Sequence, residues 1–472
     1  MYTLNKAKEK FFYSKSAKTI DAINCWFCFP AEYNIGMSSL GFLHLFRLLD
    51  TNPNTNAERI FLDTTKTIIP PQQLEFISFS FSFEFDFINV FKILEKYNIP
   101  IYSKDRDEKN PLIMGGGAVL TANPEPFAEI FDFIIVGDGE ELILEASNFL
   151  YENQNLTKEE KLHKLSKIEG IYVPSLQKFS DIKRRIFISK DCISSPIVTT
   201  DTAFSDSFLI EVCRGCPYKC NFCMTSHINQ PVHYPSFDSI KKALNTGLTK
   251  CSTIGLLGAL VPANPCFEQL CEHILDLRKE KEFKVAIGSL RADFISDLNI
   301  KMLTECGQKT TTLAVEAGSQ KMRDFINKRL TEEQILQAVD TCFKNGLDGL
   351  KIYAMIGFPN ETQEDIEELI NLMKKIKKGK KLTLSVNSFV PKKFTPFEVY
   401  EMEASKSLDK KFNYLKKECH KSGIAFRPSS ISWNEIQGKI SLGNRDLINS
   451  LYQAYKNGYT VGAFKKAFRK QT

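Results

Sequence analysis

"FLIEVCRGCPYKCNFC" (residues 208–223) joins an apolar run to three closely spaced cysteines. The run reads as a buried strand, and it is the first of a series. Further candidate strands follow at "STIGLLG" (252–258), "KVAIGS" (284–289), "TTTLAVEAG" (310–318), "GLKIYAMIG" (349–357) and "LTLSVNSFV" (382–390). Between them lie helical periods such as "CFEQLCEHILDLRKE" (266–280) and "TEEQILQAVDTCFKNG" (331–346). The second of these opens on Thr331 and ends on Gly346, a start and a stop signal. Strands separated by helices make a parallel sheet wrapped by helices. Six such units are too few for a closed eight-unit barrel, so the series predicts a partial (β/α) barrel over residues 206–396. Cys216, Cys220 and Cys223 then lie just past the first strand, at the end where barrels carry their chemistry.

The spacing of those thiols needs a reason. The chain has 472 residues and thirteen cysteines. Its opening "MYTLNKAKEKFFYSKSAKTI" lacks the apolar core of a secretion signal, which predicts a cytoplasmic protein with reduced thiols. No apolar run is long enough for a membrane-spanning helix. A net charge of +6 and 25% charged residues give no strong call for nucleic acid or a membrane surface. The lysine run "KKIKKGKK" (374–381) suits a solvated helix end. Two readings of the thiols compete: a metal or cluster site, or an accident of a cysteine-rich composition. Structural zinc takes four ligands, usually from paired knuckles. Cys213 is near, but four cysteines in one eleven-residue loop make a poor tetrahedral cage, and no second pair follows. An iron-sulfur cluster fits closely spaced thiolates better, and three ligands leave one iron open. The scattered Cys251, Cys266, Cys271, Cys306, Cys342 and Cys419 read as core residues.

The first 150 residues read as a separate α/β domain. "GFLHLFRLLD" (41–50) and "FINVFKILEKYN" (87–98) have helical period, and "FISFSFSFEF" (76–85) alternates like a strand. "PLIMGGG" (111–117) and "FDFIIVGDGEE" (131–141) are apolar runs ending in glycine turns, at the strand ends where such sheets bind ligands. Residues 151–205 read as a bridge with a helix at "KEEKLHKLSKI" (158–168) and strand-like pieces at "GIYVPS" (170–175) and "RRIFISKD" (184–191). Residues 397–472 read as a helical extension without strand alternation.

The CxxxCxxC spacing, with Phe222 before the last cysteine, resembles the radical S-adenosylmethionine superfamily. "GGGAVLTANPEPFAEIFDFIIVGDGEE", "EVCRGCPYKCNFC", "SLRAD", "LAVEAGSQKMR" and "MIGFPNETQED" occur in the order found in its cobalamin-binding-domain members. The likeness runs over roughly residues 30 to 400. It implies a flavodoxin- or Rossmann-like, cobalamin-binding-like N-terminal domain, a partial (β/α)6 TIM-type barrel and a mostly helical extension. It implies that Cys216, Cys220 and Cys223 hold a 4Fe-4S cluster, whose open iron chelates the amino and carboxylate groups of S-adenosylmethionine. Gly258 and Ala259 match the contact to the methionine amino group; the usual GGE-like motif is not intact, so backbone carbonyls would make it. Glu316 matches a polar position near the cofactor, Arg329 the region of a cation for the carboxylate, and Gly357 with Phe358 the segment beside adenine. Arg291 would face the cavity or form a rim ion pair. The implied chemistry is one-electron cleavage of the sulfonium to methionine and a 5′-deoxyadenosyl radical, which removes hydrogen from a substrate carbon. An electron donor such as flavodoxin or ferredoxin is implied, with a small-molecule or otherwise unassigned substrate.

Cobalamin itself stays open at this point. No D-x-H-x-x-G occurs, so neither His44 nor His163 is assigned as an axial ligand. "CWFC" (25–28) raises the methylthiotransferase branch, which modifies tRNA or protein with a second cluster. That branch needs three such cysteines, and only Cys25 and Cys28 precede residue 192. A non-catalytic metal-binding protein is the remaining alternative.

Overall fold

The computed structural model describes residues 9–469. The chain forms two units. One takes the chain up to Ile188, with Ser194–Ser207 and the tail from Ile440; the other is Ser189–Ile193 with Phe208–Lys439.

The first unit runs β1 (Ile23–Cys28), α1 (Leu40–Thr51), β2 (Thr55–Ile60), β3 (Phe76–Ser80), α2 (Asp86–Lys96), β4 (Leu112–Gly116), β5 (Phe133–Ile135), α3 (Glu140–Glu152), α4 (Lys158–Leu165) and β6 (Ile171–Tyr172). The sheet order is β2-β1-β3-β4-β5-β6. Its strands are parallel except for the antiparallel edge strand β6. The 2-1-3-4-5 order is that of a flavodoxin-like doubly wound sheet, whose switch point lies between β1 and β3. Five of the six residues of β1, "INCWFC", are buried, because helices cover both faces of such a sheet. On one face Phe27 stacks on Phe42 of α1 at 4.9 Å.

Two expectations in this unit are corrected. "FISFSFSFEF" is a strand only as far as Ser80. Beyond it the N–H groups of Ser82 and Phe83 both donate to the Asp86 carboxylate at 2.8 Å, a loop that starts α2 instead of extending the strand. "RRIFISKD" forms no strand, only a single bridge between Arg185 and Gly137. Ile186 and Ile188 stay exposed, so the alternation there reports no buried face.

The second unit runs β7 (Ser207–Cys213), α5 (Phe237–Leu248), β8 (Thr253–Gly258), α6 (Phe267–Glu280), β9 (Lys284–Ile287), β10 (Ser289–Leu290), α7 (Asp297–Glu305), β11 (Thr310–Glu316), α8 (Glu332–Lys344), β12 (Gly349–Ile356), α9 (Gln363–Lys377), β13 (Lys381–Ser388), α10 (Ser405–Lys421) and β14 (Ala425–Pro428). Two sheets follow one another, β9-β8-β7 and β10-β11-β12-β13-β14. The second sheet is parallel throughout. The third predicted strand straddles the seam: β9 pairs with β8, and past Gly288 the chain pairs as β10 with β11. Helix starts follow the sequence signals. Thr331 accepts from the Gln334 N–H at 3.2 Å, and the Gln334 side chain reaches back to the Thr331 N–H.

Burial alternates cleanly along β11, β12 and β13. Leu313, Ile352, Leu384 and their alternates are buried beneath the helices, while the other face is polar and accessible. The lysine run at the end of α9 is tied down by its neighbours: Lys375 pairs with Glu332, and Lys378 with Asp340.

The tail corrects a third expectation. It is mostly helical, with α11 (Ile431–Leu442), α12 (Leu447–Lys456) and α13 (Val461–Arg469), but β14 lies within it and pairs with β13. A four-residue edge strand, none of it buried, carries no hydrophobic alternation for the eye to find. The last helices belong to the first unit. Tyr452 and Tyr455 of α12 meet Phe91 of α2 at 6.0 and 5.2 Å, and Phe464 of α13 meets Phe87 at 6.2 Å. Among the described residues, no helix is long and apolar enough to cross a membrane.

Candidate functional site

The cysteine loop leaves the end of β7 through Gly215, whose φ of +80° only glycine adopts easily. A Cβ there would lie 2.2 Å from the Asn229 carbonyl. From that turn, side chains reach back to the carbonyl of every cysteine. Gln230 donates to the Cys216 oxygen at 2.9 Å, the His227 Nε2 lies 3.1 Å from the Cys220 oxygen, and Ser226 donates to the Cys223 oxygen at 2.8 Å. The loop is fixed on its other side too. Asn221 donates its side-chain amide to Phe325 and its N–H to Ile326, and Asn327 donates to the Lys219 oxygen at 2.7 Å. The backbone is held from two sides by groups that do not use the three thiols.

The thiols feel one another. Cys220 is buried, while Cys216 and Cys223 are half-buried. Desolvation raises the pKa of Cys216 and pushes that of Cys220 up to about 11, and the nearby Cys223 adds to both. Arg291 and Lys328 act in the opposite direction on both, favouring the thiolates. Cys213 differs: its Sγ lies 3.2 Å from the Gly215 oxygen and donates there. It also packs against Gly258, where a Cβ would meet the Cys213 oxygen at 2.7 Å. No three His, Cys, Asp or Glu side chains among the described residues gather at single-ion distance. A cluster of several irons spreads its ligands more widely than one zinc does, and three thiolates beside two cations are a donor set it can use.

The surrounding residues come from the ends of later strands. Arg291, just after β10, stacks on the Tyr218 ring at 3.7 Å, pairs with Asp293 at 2.7 Å and donates to the Lys328 and Arg329 carbonyls. Glu316 ends β11 at a register shift, with a φ of +71° that a non-glycine residue seldom adopts. Its carboxylate pairs with Lys328 at 3.3 Å. Arg329 turns its guanidinium outward to Asn327, and its neighbour Lys328 takes the buried position. Gly258 and Ala259 are exposed at the end of β8. Gly357 follows β12 at a φ of +82° and donates its N–H to Glu361 at 2.7 Å. Phe358 is buried with Phe389 and Phe397, and Phe222 of the cysteine loop meets it at 5.8 Å.

Two features escaped the sequence reading. Arg323 is fully buried and donates to the carbonyls of Ala317, Gly318 and Leu330, which closes the turn between Glu316 and Lys328. Lys411 of α10 sits between Glu361 at 2.8 Å and Glu403 at 2.6 Å. Two carboxylates share one cation there, and burial raises the pKa of Glu361 to about 7.

In the first unit the glycine turns serve the chain itself. A Cβ on Gly117 would lie 2.3 Å from the Phe81 oxygen, and one on Gly137 2.1 Å from the Arg185 oxygen. His44 is buried within α1, and His163 is exposed on α4. Cys25 and Cys28 are three apart in β1 and so face opposite sides of the sheet. Both are fully buried, which raises their pKa values.

A family model described as "Radical SAM superfamily" matches residues 210–373, and one described as "Radical SAM proteins, N-terminal" matches residues 41–174. The chain belongs to the radical S-adenosylmethionine superfamily. It is an enzyme, and the cofactors of its family are a 4Fe-4S cluster and S-adenosylmethionine. An uncharacterized protein of Methanocaldococcus jannaschii is 32% identical, over 93% of either chain. A tRNA-2-methylthio-N(6)-dimethylallyladenosine synthase of Ehrlichia canis is 23% identical, over 73% of this chain and 76% of the synthase. Among solved structures, the cobalamin-dependent S-adenosylmethionine radical enzyme OxsB has a similar fold. Its TM-score is 0.54 at 17% identity, covering 87% of this chain and 58% of OxsB. The chain thus spans little more than half of that enzyme.

Proposed function

We propose that this enzyme cleaves S-adenosylmethionine reductively at a cluster held by Cys216, Cys220 and Cys223. The observation that carries the reading is the loop, with Cys223 near both Cys216 and Cys220, each cysteine's carbonyl engaged from the following turn, and Arg291 and Lys328 beside them. When bound, the cluster and S-adenosylmethionine supply a 5′-deoxyadenosyl radical able to take hydrogen from a substrate carbon. The chain's part is to position and shield. Lys328 and Arg291 offset the charge of the thiolates. Glu316, Gly258 and Ala259 offer polar and backbone groups at the strand ends, and Gly357 with Phe358 forms a backbone turn over an aromatic floor. Arg329 remains the candidate for a carboxylate at the rim, with Lys328 the inner cation. An external one-electron donor of the flavodoxin or ferredoxin kind completes the reaction.

A second reading adds cobalamin-assisted methyl transfer. The 2-1-3-4-5 strand order of the first unit and the fold likeness to a cobalamin-dependent enzyme favour it. A corrin there would bind without a histidine from this unit's described strand ends. The methylthiotransferase reading gets no second-cluster ligands from Cys25 and Cys28, which face opposite ways.

Anaerobic reconstitution tests the main reading. With S-adenosylmethionine and dithionite, the wild-type protein should release 5′-deoxyadenosine, or S-adenosylhomocysteine if methyl transfer operates. The triple variant Cys216→Ala, Cys220→Ala, Cys223→Ala should lose both its iron and its products. Full iron loading in that variant would end the proposal. Optical spectra with and without hydroxocobalamin test the second reading.

A further inference from the structure

The face of the second unit's sheet that points away from the helices carries a particular chemistry. Register places Ser289, Thr312, Lys351, Thr383 and Ala425 in one row across β10 to β14. The next row of that face holds Ala314, Tyr353, Ser385 and Arg427. Alternation puts both rows on the accessible side, since their neighbours Leu313, Ile352, Leu384 and Val386 are buried. The two rows contain hydroxyls, two cations and no carboxylate. Glu316, the acid at the upper end of this face, is already paired with Lys328.

Lys351 donates to the Tyr353 hydroxyl at 3.3 Å, with its ammonium over that ring at 4.7 Å. No carboxylate pairs with Lys351 or Arg427 among the described residues. Lys375, Lys378 and Lys411 of the same unit do pair with acids. Two unneutralised cations on one sheet face repel each other and are stabilised by an anion between them. Tyr353 and Arg427 stand two strands apart, about 10 Å, with only Ser385 between. Arg427, exposed on β14, has a side chain long enough to reach across much of that gap. Arginine adds a planar fork matched to carboxylate or phosphate oxygens.

We infer that Lys351, Tyr353 and Arg427 form a subsite for the anionic group, carboxylate or phosphate, of a small substrate. The Tyr353 oxygen accepts from Lys351, which leaves its own proton to donate to the anion. Lys351 lies five residues below the end of β12, about 16 Å, so the substrate's other end would reach the strand ends where the cysteine loop sits. This deepens the proposed function, on which the word substrate rests; the anion subsite itself does not depend on it.

The test uses the isolated full-length protein without reductant or S-adenosylmethionine. Saturation-transfer NMR follows succinate as the carboxylate probe, phosphorus line broadening follows methyl phosphate, and 1,4-butanediol serves as the neutral control. At least one anion should bind and butanediol should not. The Lys351→Met, Arg427→Met variant should weaken the anion at least tenfold, and Lys351→Arg, Arg427→Lys should retain it, which separates charge from folding. Lys410→Met, on the exposed outer side of α10, should change nothing. The responding probe assigns carboxylate or phosphate. Binding of neither anion, or equal binding by wild type and the double methionine variant, overturns the inference. Absence of both 5′-deoxyadenosine and S-adenosylhomocysteine in the cleavage assay would instead sink the proposed function and leave the anion result standing.

Discussion

Arg323 is fully buried, and its guanidinium donates to the carbonyls of Ala317, Gly318 and Leu330. That one side chain closes the loop that turns Glu316 toward Lys328. Replacing it with methionine keeps much of the volume and leaves three carbonyls without their donor. Each buried unsatisfied group costs about 1–3 kcal/mol, so Arg323→Met should lose roughly 3 kcal/mol or more in a urea melt. Glu361 supports a different prediction, about pH. Folded Glu361 keeps its proton to about pH 7 because its burial outweighs the nearby Lys411 ammonium, which favours the charged form; the unfolded chain releases it near its ordinary 4.5. The folded state therefore holds more protons between those values, and its contribution to stability, complete below about 4.5, falls as pH rises through 7. Over that range the change is on the order of 3 kcal/mol. The melting temperature of wild type relative to Glu361→Gln should fall by several degrees between pH 5 and 8; parallel pH profiles would refute the assignment. Neither residue stood out in the sequence. A buried arginine and a shared lysine look like ordinary surface charges until the fold brings distant carbonyls and carboxylates to them. The cysteine trio was legible because its ligand chemistry is written in local spacing.

At the scale of elements, the strand–helix series was legible wherever burial was one-sided or complete, as in β11, β12 and β13. It failed where another force set the backbone. Asp86 captured two N–H groups and ended β3 early, and β14 formed at an exposed edge where no hydrophobic period is required. Strand geometry also decides what "CWFC" can do. Side chains three apart on a strand point to opposite faces, so Cys25 joins the core beneath α1 while Cys28 lies on the other side of the sheet. The double variant Cys25→Ala, Cys28→Ala should retain its full iron content after reconstitution. It should also be destabilised by about 1 kcal/mol per lost buried sulfur. Loss of iron with stability unchanged would revive the second-cluster reading.

At the scale of the whole molecule, the chain leaves its first unit, builds the second and then comes back. The return is not ornamental, because α12 and α13 cover a face of α2 that carries Phe87 and Phe91, both fully buried. Polar contacts reinforce the apolar ones. Arg445 pairs with Glu125 at 3.2 Å and donates to the Tyr172 hydroxyl, and Asn123 donates to the carbonyls of Ser441 and Gly443 at 3.0 and 2.9 Å. Removing the chain after Lys439 would bare those phenylalanines, and each fully buried side chain of that size contributes about 1.5–3 kcal/mol. Set against the 5–15 kcal/mol that typically holds a domain together, the loss of several at once should leave the first unit largely unfolded. The second unit keeps β7, the cysteine loop and all of β8 to β14 in such a truncation. Limited proteolysis of the 1–439 chain should accordingly cut rapidly within residues 23–172 while a fragment covering 208–439 survives, still able to take up iron on anaerobic reconstitution. A first unit as resistant as in the full chain would mean that the aromatic face of α2 does not need its cover.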